Sequence, residues 1–126
     1  MKDNLTIAVD FDGTCVDHRY PDIGADVPFA VLSLKLLTET LGAKVILNTM
    51  RSGEYLAAAV NWFSKNNIQL YGINSHPDQH TWTHSPKVYA NKYIDDAAVG
   101  CPLIEVPGFA RPCVDWNNVM YILRRD

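Results

Sequence analysis

The segment that most constrains this chain is Leu5–Thr14, which has the sequence LTIAVDFDGT. Its aliphatic half, which ends at Val9, is typical of a buried strand. Asp10 and Asp12 follow, and side chains two residues apart on an extended chain point to the same side. Such carboxylates repel each other unless a cation lies between them, and Gly13 lets the backbone N–H turn toward an anion. The segment predicts a cation and anion site or, alternatively, a solvated acidic turn.

Size and composition limit the classes of protein to consider. The chain has 126 residues, of which 48% are hydrophobic and 20% charged, so we expect a single globular domain over residues 1–126. The net charge of −3 provides neither a basic stripe for nucleic acid nor a polybasic membrane patch. No apolar run approaches the ~20 residues that span a bilayer, and the start, MKDNLTIAVDFDG, lacks a signal-peptide pattern.

The cysteines indicate a reducing compartment. Cys15, Cys101 and Cys113 are widely spaced and form no CxxC motif, which predicts a cytoplasmic protein without disulfides. Cys15 lies beside the acidic turn, where negative charge raises a thiol pKa, so we do not expect it to be a nucleophile.

Strand and helix patterns alternate along the chain. An amphipathic helix is predicted after Pro28, with Val31, Leu34, Leu37 and Leu41 on its apolar face, Leu32 and Leu36 widening it, and Gly42 as C-cap. A second helix is predicted after Ser52 as N-cap with Glu54 in the first turn, and a closing helix over 114–125 with Asp115 in the first turn. Further strands are predicted at 43–48, 68–73, 92–94 and 102–106. This order predicts an α/β fold: a doubly wound, Rossmann-like three-layer sandwich with a mainly parallel five-stranded sheet.

Polar residues follow three of the predicted strands. They are Asp10 and Asp12, then Thr49, then Asp95 and Asp96. Because ligands of such sheets bind at the carboxyl ends of the strands, we expect these side chains to converge. Four acids together require a divalent cation, and all-oxygen ligands suit magnesium. The site would also contain the Thr49 hydroxyl, the Gly13 N–H and a lysine from the segment before the fourth strand, and these groups suit phosphate. One of the carboxylates could then attack phosphorus.

At this point the sequence resembles a known family. DFDGT, Thr49, Lys87 and Asp95-Asp96, separated by 39, 38 and 8 residues, resemble the four motifs of the haloacid dehalogenase (HAD) superfamily. The strings DFDGTCVDHRYPDIG, ILNTMRSGEYL and KVYANKYIDD resemble a small, capless bacterial subgroup described as phosphatase-like or as hydrolases. The resemblance implies a HAD-like domain without a cap and a magnesium-dependent phosphomonoester hydrolase that forms an aspartyl-phosphate.

The resemblance also implies a role for each matching position. Asp10 would be the nucleophile, and Asp12 the general acid/base with its main-chain carbonyl on Mg²⁺. Lys87 is favoured over Lys92 as the lysine, because the family places it several residues before the acidic pair. The residues implied in catalysis are then Asp10, Asp12, Thr49 and Lys87. The residues implied in metal binding are Asp10, Asp12, Asp95 and Asp96, where Asp96 is either a ligand or a supporting acid. The residues implied in phosphate binding are Asp12, Gly13, Thr49, Met50 and Lys87.

Other polar residues leave more than one interpretation open. His18, Tyr20 and Arg51 are candidates for contact with substrate, or they are surface residues beside turns and a helix start. His76, His80 and His84 are spaced by four, but Pro77 disfavours the helix that a zinc site would need. The three tryptophans are expected to pack rather than to stack on bases.

Two alternative functions remain open. A two-component receiver domain uses similar residues but carries its acidic pair first, and a catalytically silent phosphate-binding protein would not need an intact set of motifs. The expected partner is a phosphorylated small molecule, with no nucleic acid and no membrane. An open, capless site suggests a bulky substrate, broad selectivity or a pocket completed by a second subunit in a homo-oligomer.

Overall fold

The aliphatic run of the first motif forms the central strand of the sheet. The computed structural model describes residues 5–125, so the ends of the predicted domain, 1–4 and 126, lie outside it. Strand β1 (Thr6–Val9) is buried throughout. It pairs in parallel with β2 (Lys44–Leu47), and β3 (Gly72–Ile73) extends the sheet beyond β2. On its other side β1 pairs in parallel with β4 (Lys92–Ile94), so the order is β3-β2-β1-β4.

The fold class is therefore α/β with a parallel sheet, but the prediction of five strands in that sheet is wrong. The predicted strand over 102–106 is β5 (Leu103–Ile104), which pairs antiparallel with β6 (Cys113–Val114) in a separate two-stranded sheet. The third strand is shorter than the predicted 68–73. It lies at an edge, where hydrogen bonds from Tyr71 N to Val45 O and from Asn74 N to Leu47 O flank the two paired residues.

The helices follow the predicted pattern with local departures. Helix α1 (Ala30–Lys35) begins after Phe29, whose φ of 66° is left-handed, and continues as a π-helical turn at Leu36–Thr40. The Thr38 hydroxyl donates to the carbonyl of Leu34 at 2.9 Å and accompanies this change of pitch. Gly42, with φ 68°, terminates the turn as predicted.

The apolar face of the first helix is narrower than predicted. Leu34 and Leu37 are fully buried, whereas Leu32 and Leu36 are 59% and 38% exposed, so these two do not widen the face. A stripe with spacings of four and three places Ala30, Leu34 and Leu37 on one side and turns Leu32 and Leu36 to solvent, whereas Val31 and Leu41 are partly buried against the core.

The second and third helices begin close to the predicted residues. Helix α2 (Gly53–Lys65) starts after Ser52, whose side chain makes no cap hydrogen bond, and Glu54 is in its first turn. Helix α3 (Trp116–Arg125) begins one residue after Asp115, so this residue is not in the first turn. Instead, Asp115 Oδ1 accepts a hydrogen bond from Asn118 N at 3.3 Å, as an N-cap residue does.

Aromatic residues join the helices to the loop that follows β1. The Phe11 ring lies 5.7 Å from that of Trp62 and 6.1 Å from that of Phe63, both on α2. Trp116 on α3 is buried and donates from Nε1 to the Thr14 carbonyl at 2.7 Å. These contacts fix the backbone of the DFDGT motif from two sides. In the described part of the chain, no helix has the length and apolar character needed to cross a membrane.

Candidate active site

The register of the sheet brings the polar strand ends together. Val9 is paired with Ile94 of β4 and with Leu47 of β2, so the residues that follow these strands meet at one edge. The strand order reverses between β1 and β4, and open α/β sheets bind ligands in the crevice at such a point. A cavity of about 690 Å³ opens there, lined by Asp10, Asp12, His18, Tyr20, Asn48, Thr49, Met50, Arg51, Asp95, Asp96, Ala97 and Arg111.

Three acids form a cluster at this edge. One carboxylate oxygen from each of Asp10, Asp95 and Asp96 lies within 4.8 Å of the other two. The Thr14 hydroxyl joins two of them: it donates to Asp10 Oδ2 at 3.2 Å and accepts from Asp96 N at 3.3 Å. Burial, a hydrogen bond with Asp96 and the negative charge of Asp95 raise the pKa of Asp10 from 3.8 to about 8. The three carboxylates could hold a metal ion, and because an all-oxygen donor set is of the kind that Mg²⁺ accepts, magnesium stays the prediction for this site.

Gly13 allows the acids to approach the turn but does not offer its N–H to a ligand. Its φ is 87°, and a Cβ there would overlap the Asp96 carboxylate and lie 2.7 Å from His18 Cδ2. The sharp turn predicted for Gly13 is thus confirmed. The predicted phosphate contact is not, because the Gly13 N–H donates to Val16 O at 2.7 Å.

The second motif aspartate is paired with an arginine. Arg51 donates from Nε to Asp12 Oδ2 and from Nη2 to Asp12 Oδ1, both at 2.8 Å. The Arg51 side chain is 1% exposed and that of Asp12 is 12% exposed, so the pair is largely shielded from water. The fork geometry holds the Asp12 carboxylate in one orientation.

Arg51 is not the free substrate contact that the sequence left open. Its remaining donors are also used, with Nη1 bound to the carbonyls of Pro21 and Tyr55 and Nη2 to that of Asp22. With the two bonds to Asp12, all five guanidinium N–H groups have acceptors within the protein. Arg51 lines the cavity, but it acts as a buried clamp between Asp12, the loop after β1 and the start of α2.

Thr49 and Met50, which the sequence predicts to bind phosphate, follow β2 at the same edge of the sheet as the acids. Both line the cavity, and Met50 is fully exposed. The Thr49 hydroxyl accepts from Arg51 N at 3.1 Å, which leaves its own proton available to a ligand. Thr49 N donates to Asn74 Oδ1 at 2.8 Å, so Asn74 fixes the backbone at this strand end.

Lys87 is not among the residues that line the cavity. Its Nζ lies 5.5 Å from the centroid of the Tyr93 ring, on the exposed segment before β4. The structure therefore does not bring Lys87 together with the acids, and its role in binding phosphate stays a prediction. Lys92, the competing lysine, is the first residue of β4 and pairs with Ile7 at the opposite end of the strand.

His18 and Tyr20 do line the cavity, and so does a residue that the sequence did not indicate. Arg111 lies in the loop before β6, and its Nη2 is 3.0 Å from His18 Nδ1. His18 Nε2 is in turn 3.3 Å from Asp96 Oδ2. The sequence offered no signal for Arg111, because it belongs to no motif and precedes a strand of the separate sheet.

Two further expectations concern residues outside the acid cluster. Burial, followed by the charges of Asp10, Asp12 and Asp26, raises the pKa of the Cys15 thiol well above its ordinary value, as its position beside the acids predicted. Among residues 5–125, the histidines at 76, 80 and 84 do not form a group that could hold a metal ion. His76 instead packs edge-on against Trp82 at 5.5 Å.

The raised pKa of Asp10 predicts a pH dependence of stability in metal-free protein. Because the folded pKa of about 8 exceeds the ordinary value of 3.8, the folded state keeps a proton that the unfolded chain releases between these values. The free energy of unfolding should therefore fall as the pH rises from about 4 to about 8, with a slope of up to about 1.4 kcal/mol per pH unit. Asp10→Asn should flatten this slope in urea unfolding, whereas Glu105→Gln, at an exposed site, should not. If the free energy of unfolding of Asp10→Asn fell with pH as steeply as that of the wild type, Asp10 would not be the group with the raised pKa.

The Arg51 clamp predicts a strong effect on stability. Arg51→Gln leaves the Asp12 carboxylate without its partner and should lower the free energy of unfolding by about 3–5 kcal/mol. Adding Asp12→Asn should recover part of that loss, because the unpaired charge is removed. Urea unfolding of the two single variants and the double variant measures this coupling. Additive losses, or a loss below about 1 kcal/mol for Arg51→Gln, would show that the pair does not hold the two loops.

Comparison with known proteins identifies a relative. No protein-family model matches the chain, and no curated protein matches it. A solved structure described as that of a conserved protein coded by a locus from Bacteroides thetaiotaomicron shares 38% sequence identity with a TM-score of 0.79. The match covers 98% of this chain and 92% of that chain. The chain therefore belongs to the same family as this conserved Bacteroides protein.

Proposed function

We propose that this protein is a magnesium-dependent phosphomonoester hydrolase of the HAD type that acts through an aspartyl-phosphate on Asp10. The observation that carries the proposal is the cluster of Asp10, Asp95 and Asp96 at the carboxyl edge of a parallel sheet, where the strand order reverses. In this proposal the sheet and its helices are a doubly wound, HAD-like sandwich.

The acid cluster supports a role in binding a divalent cation. Asp10, Asp95 and Asp96 would hold Mg²⁺, and the Thr14 hydroxyl would hold the Asp10 carboxylate beside the backbone of Asp96. When bound, Mg²⁺ offsets the charge of the three acids and polarises the phosphoryl group. Burial, and after it the nearby Asp96 and Asp95, raise the pKa of Asp10, and a bound cation would stabilise its ionised form.

Asp10 is the best candidate for the nucleophile. It opens into the cavity, and its backbone is fixed by the hydrogen bond from Asp10 N to Ile94 O at 2.9 Å. Attack by a carboxylate oxygen on phosphorus forms an O–P bond and breaks the bond to the ester oxygen, which leaves as an alcohol once protonated. Water then cleaves the aspartyl-phosphate and releases inorganic phosphate.

Asp12 is the proposed general acid and base, two residues beyond the nucleophile. Its carboxylate lines the cavity, and Arg51 sets its orientation through two hydrogen bonds. Each Asp12 oxygen accepts one hydrogen bond from Arg51 and has a second lone pair, which can carry the proton that is donated to the leaving oxygen. Thr49 and the exposed Met50 also line the cavity, and the Thr49 hydroxyl can donate to a phosphoryl oxygen.

The substrate is proposed to be a phosphorylated small molecule. The cavity of about 690 Å³ lies in the range of small-molecule sites. Residues 10–29 connect β1 to α1 and residues 48–52 connect β2 to α2, and neither connection is long enough for a folded cap domain, which supports a capless single domain. A homo-oligomer in which a second subunit completes the open site remains part of the prediction. The three cysteines are free, which supports the proposed cytoplasmic location.

A receiver-like switch is the second candidate. Like the proposed phosphatase, it would hold Mg²⁺ and accept a phosphoryl group on Asp10. The two differ in the fate of that phosphoryl group, because a switch keeps it and a phosphatase with Asp12 beside the nucleophile hydrolyses it. A silent phosphate-binding protein would neither accept nor release a phosphoryl group. Turnover therefore separates the three.

Turnover of p-nitrophenyl phosphate tests the proposed function. EDTA should abolish it and Mg²⁺ should restore it, because three crowded acids would otherwise repel the substrate phosphate. Asp10→Asn should reduce the rate to background with the fold retained, since it removes the nucleophile and relieves charge. Glu105→Gln removes an exposed carboxylate and serves as the control. Full activity in metal-free buffer, or near wild-type turnover by Asp10→Asn, would contradict the proposal.

A further inference from the structure

The cavity contains two arginines, and they differ in how their N–H groups are used. Arg51 has an acceptor for each of its five guanidinium N–H groups. Arg111 is exposed, and within residues 5–125 its guanidinium group makes one hydrogen bond, to His18 Nδ1. Arg111 is thus a cation of this cavity with donors left for a ligand.

The backbone at Arg111 is held in place. Asp17, which is 2% exposed, accepts the Ala110 N–H on both carboxylate oxygens, at 3.0 and 3.1 Å. Arg19 links the same two loops by donating to Asp17 Oδ2 and to Gly108 O, both at 2.9 Å. The peptide unit before Arg111 is therefore fixed on the loop that carries His18.

Contact with His18 sets the distance between Arg111 and the acid cluster. A guanidinium group can only donate, so His18 Nδ1 must accept, and the ring proton is on Nε2, facing Asp96 Oδ2. The imidazole thus separates Arg111 from the acid cluster. A phosphoryl group bound at the acids would leave Arg111 facing the part of the substrate beyond that group.

We infer that Arg111 selects phosphomonoesters that carry a second anionic group, either a carboxylate or a second phosphate, an inference that rests on the proposed function. Four acids line the cavity, so a second anion would be repelled unless a cation received it. The planar fork of Arg111 matches carboxylate and phosphate oxygens. The acid cluster holds the reacting phosphate, and Arg111 determines which esters bind well.

Two matched pairs of substrates test the inference and distinguish the two anions. One pair is phenyl phosphate and 4-carboxyphenyl phosphate, and the other is butyl phosphate and butane-1,4-diol bisphosphate. The wild-type kcat/KM should favour the doubly anionic member of at least one pair by about 10- to 100-fold, as a charge-assisted hydrogen bond allows. Arg111→Gln should remove most of this preference, mainly through KM. Arg124→Gln, which removes an exposed arginine from α3, should retain it.

Each outcome of this experiment has a definite meaning. Equal kcat/KM within both pairs in an active wild-type enzyme overturns the inference and leaves the proposed function intact. A preference that Arg111→Gln retains also overturns it. If the wild-type enzyme with Mg²⁺ hydrolyses neither member of either pair, the proposed function fails and the inference fails with it. Arg111→Met is the second variant if Arg111→Gln lowers the thermal unfolding midpoint.

Discussion

The parallel pairing of β1 with β4 is the constraint on which the site depends. It aligns Val9 with Ile94, so Asp10 and Asp95 leave neighbouring strands side by side. The arrangement buries Asp10 and crowds it with Asp95 and Asp96, and burial first and then this crowding raise the pKa of Asp10 to about 8. A fold that needed only stability would avoid such crowding, because each added carboxylate at this edge is repelled by the others. The crowding is instead consistent with a site that receives a cation.

Two arginines complete the site in different ways. Arg51 is buried and lies behind Asp12, where it joins the loop after β1 to the start of α2. Arg111 is exposed at the cavity wall, one imidazole ring away from Asp96. The buried arginine therefore orients a catalytic candidate, whereas the exposed arginine is free to contact a ligand. In the proposed function, Arg111 is the cation that would allow this acidic cavity to accept an anionic substrate.

Much of this site could be predicted from the sequence, because strand ends of a parallel sheet must converge. The alternation of strands and helices predicted the meeting of Asp10, Thr49 and Asp95. Contacts that depend on loops could not be predicted. The partners of Arg51 include three main-chain carbonyls, and main-chain carbonyls leave no trace in a sequence pattern. The Gly13 N–H is lost to Val16 O for the same reason: the turn that glycine permits also forms its own hydrogen bond.

The separate two-stranded sheet explains two further differences, the number of strands in the main sheet and the place of Arg111. A short apolar run such as 102–106 matches a strand of the main sheet as well as a strand of a hairpin, so the sequence did not distinguish them. The hairpin matters for the site because Val114 N donates to Gly13 O at 3.0 Å, and this bond joins β6 to the DFDGT turn. It also carries the loop that contains Arg111. The sequence therefore failed to predict the β5–β6 hairpin and the role of Arg111 for the same reason, because Arg111 lies in the loop of that hairpin.

The most direct test of the account is to trap the phosphoryl group on Asp10. In Asp12→Asn, the new side chain keeps an oxygen for Arg51, while the base that activates water is lost. With Mg²⁺ and p-nitrophenyl phosphate, a good leaving group, rapid-quench kinetics should show a burst of about one equivalent followed by slow turnover. Mass spectrometry of the quenched protein should find one added phosphoryl group on the peptide that contains Asp10, and none when Asp10→Asn is added. Turnover at the wild-type rate, or steady turnover with no phosphoryl group on Asp10, would contradict the account.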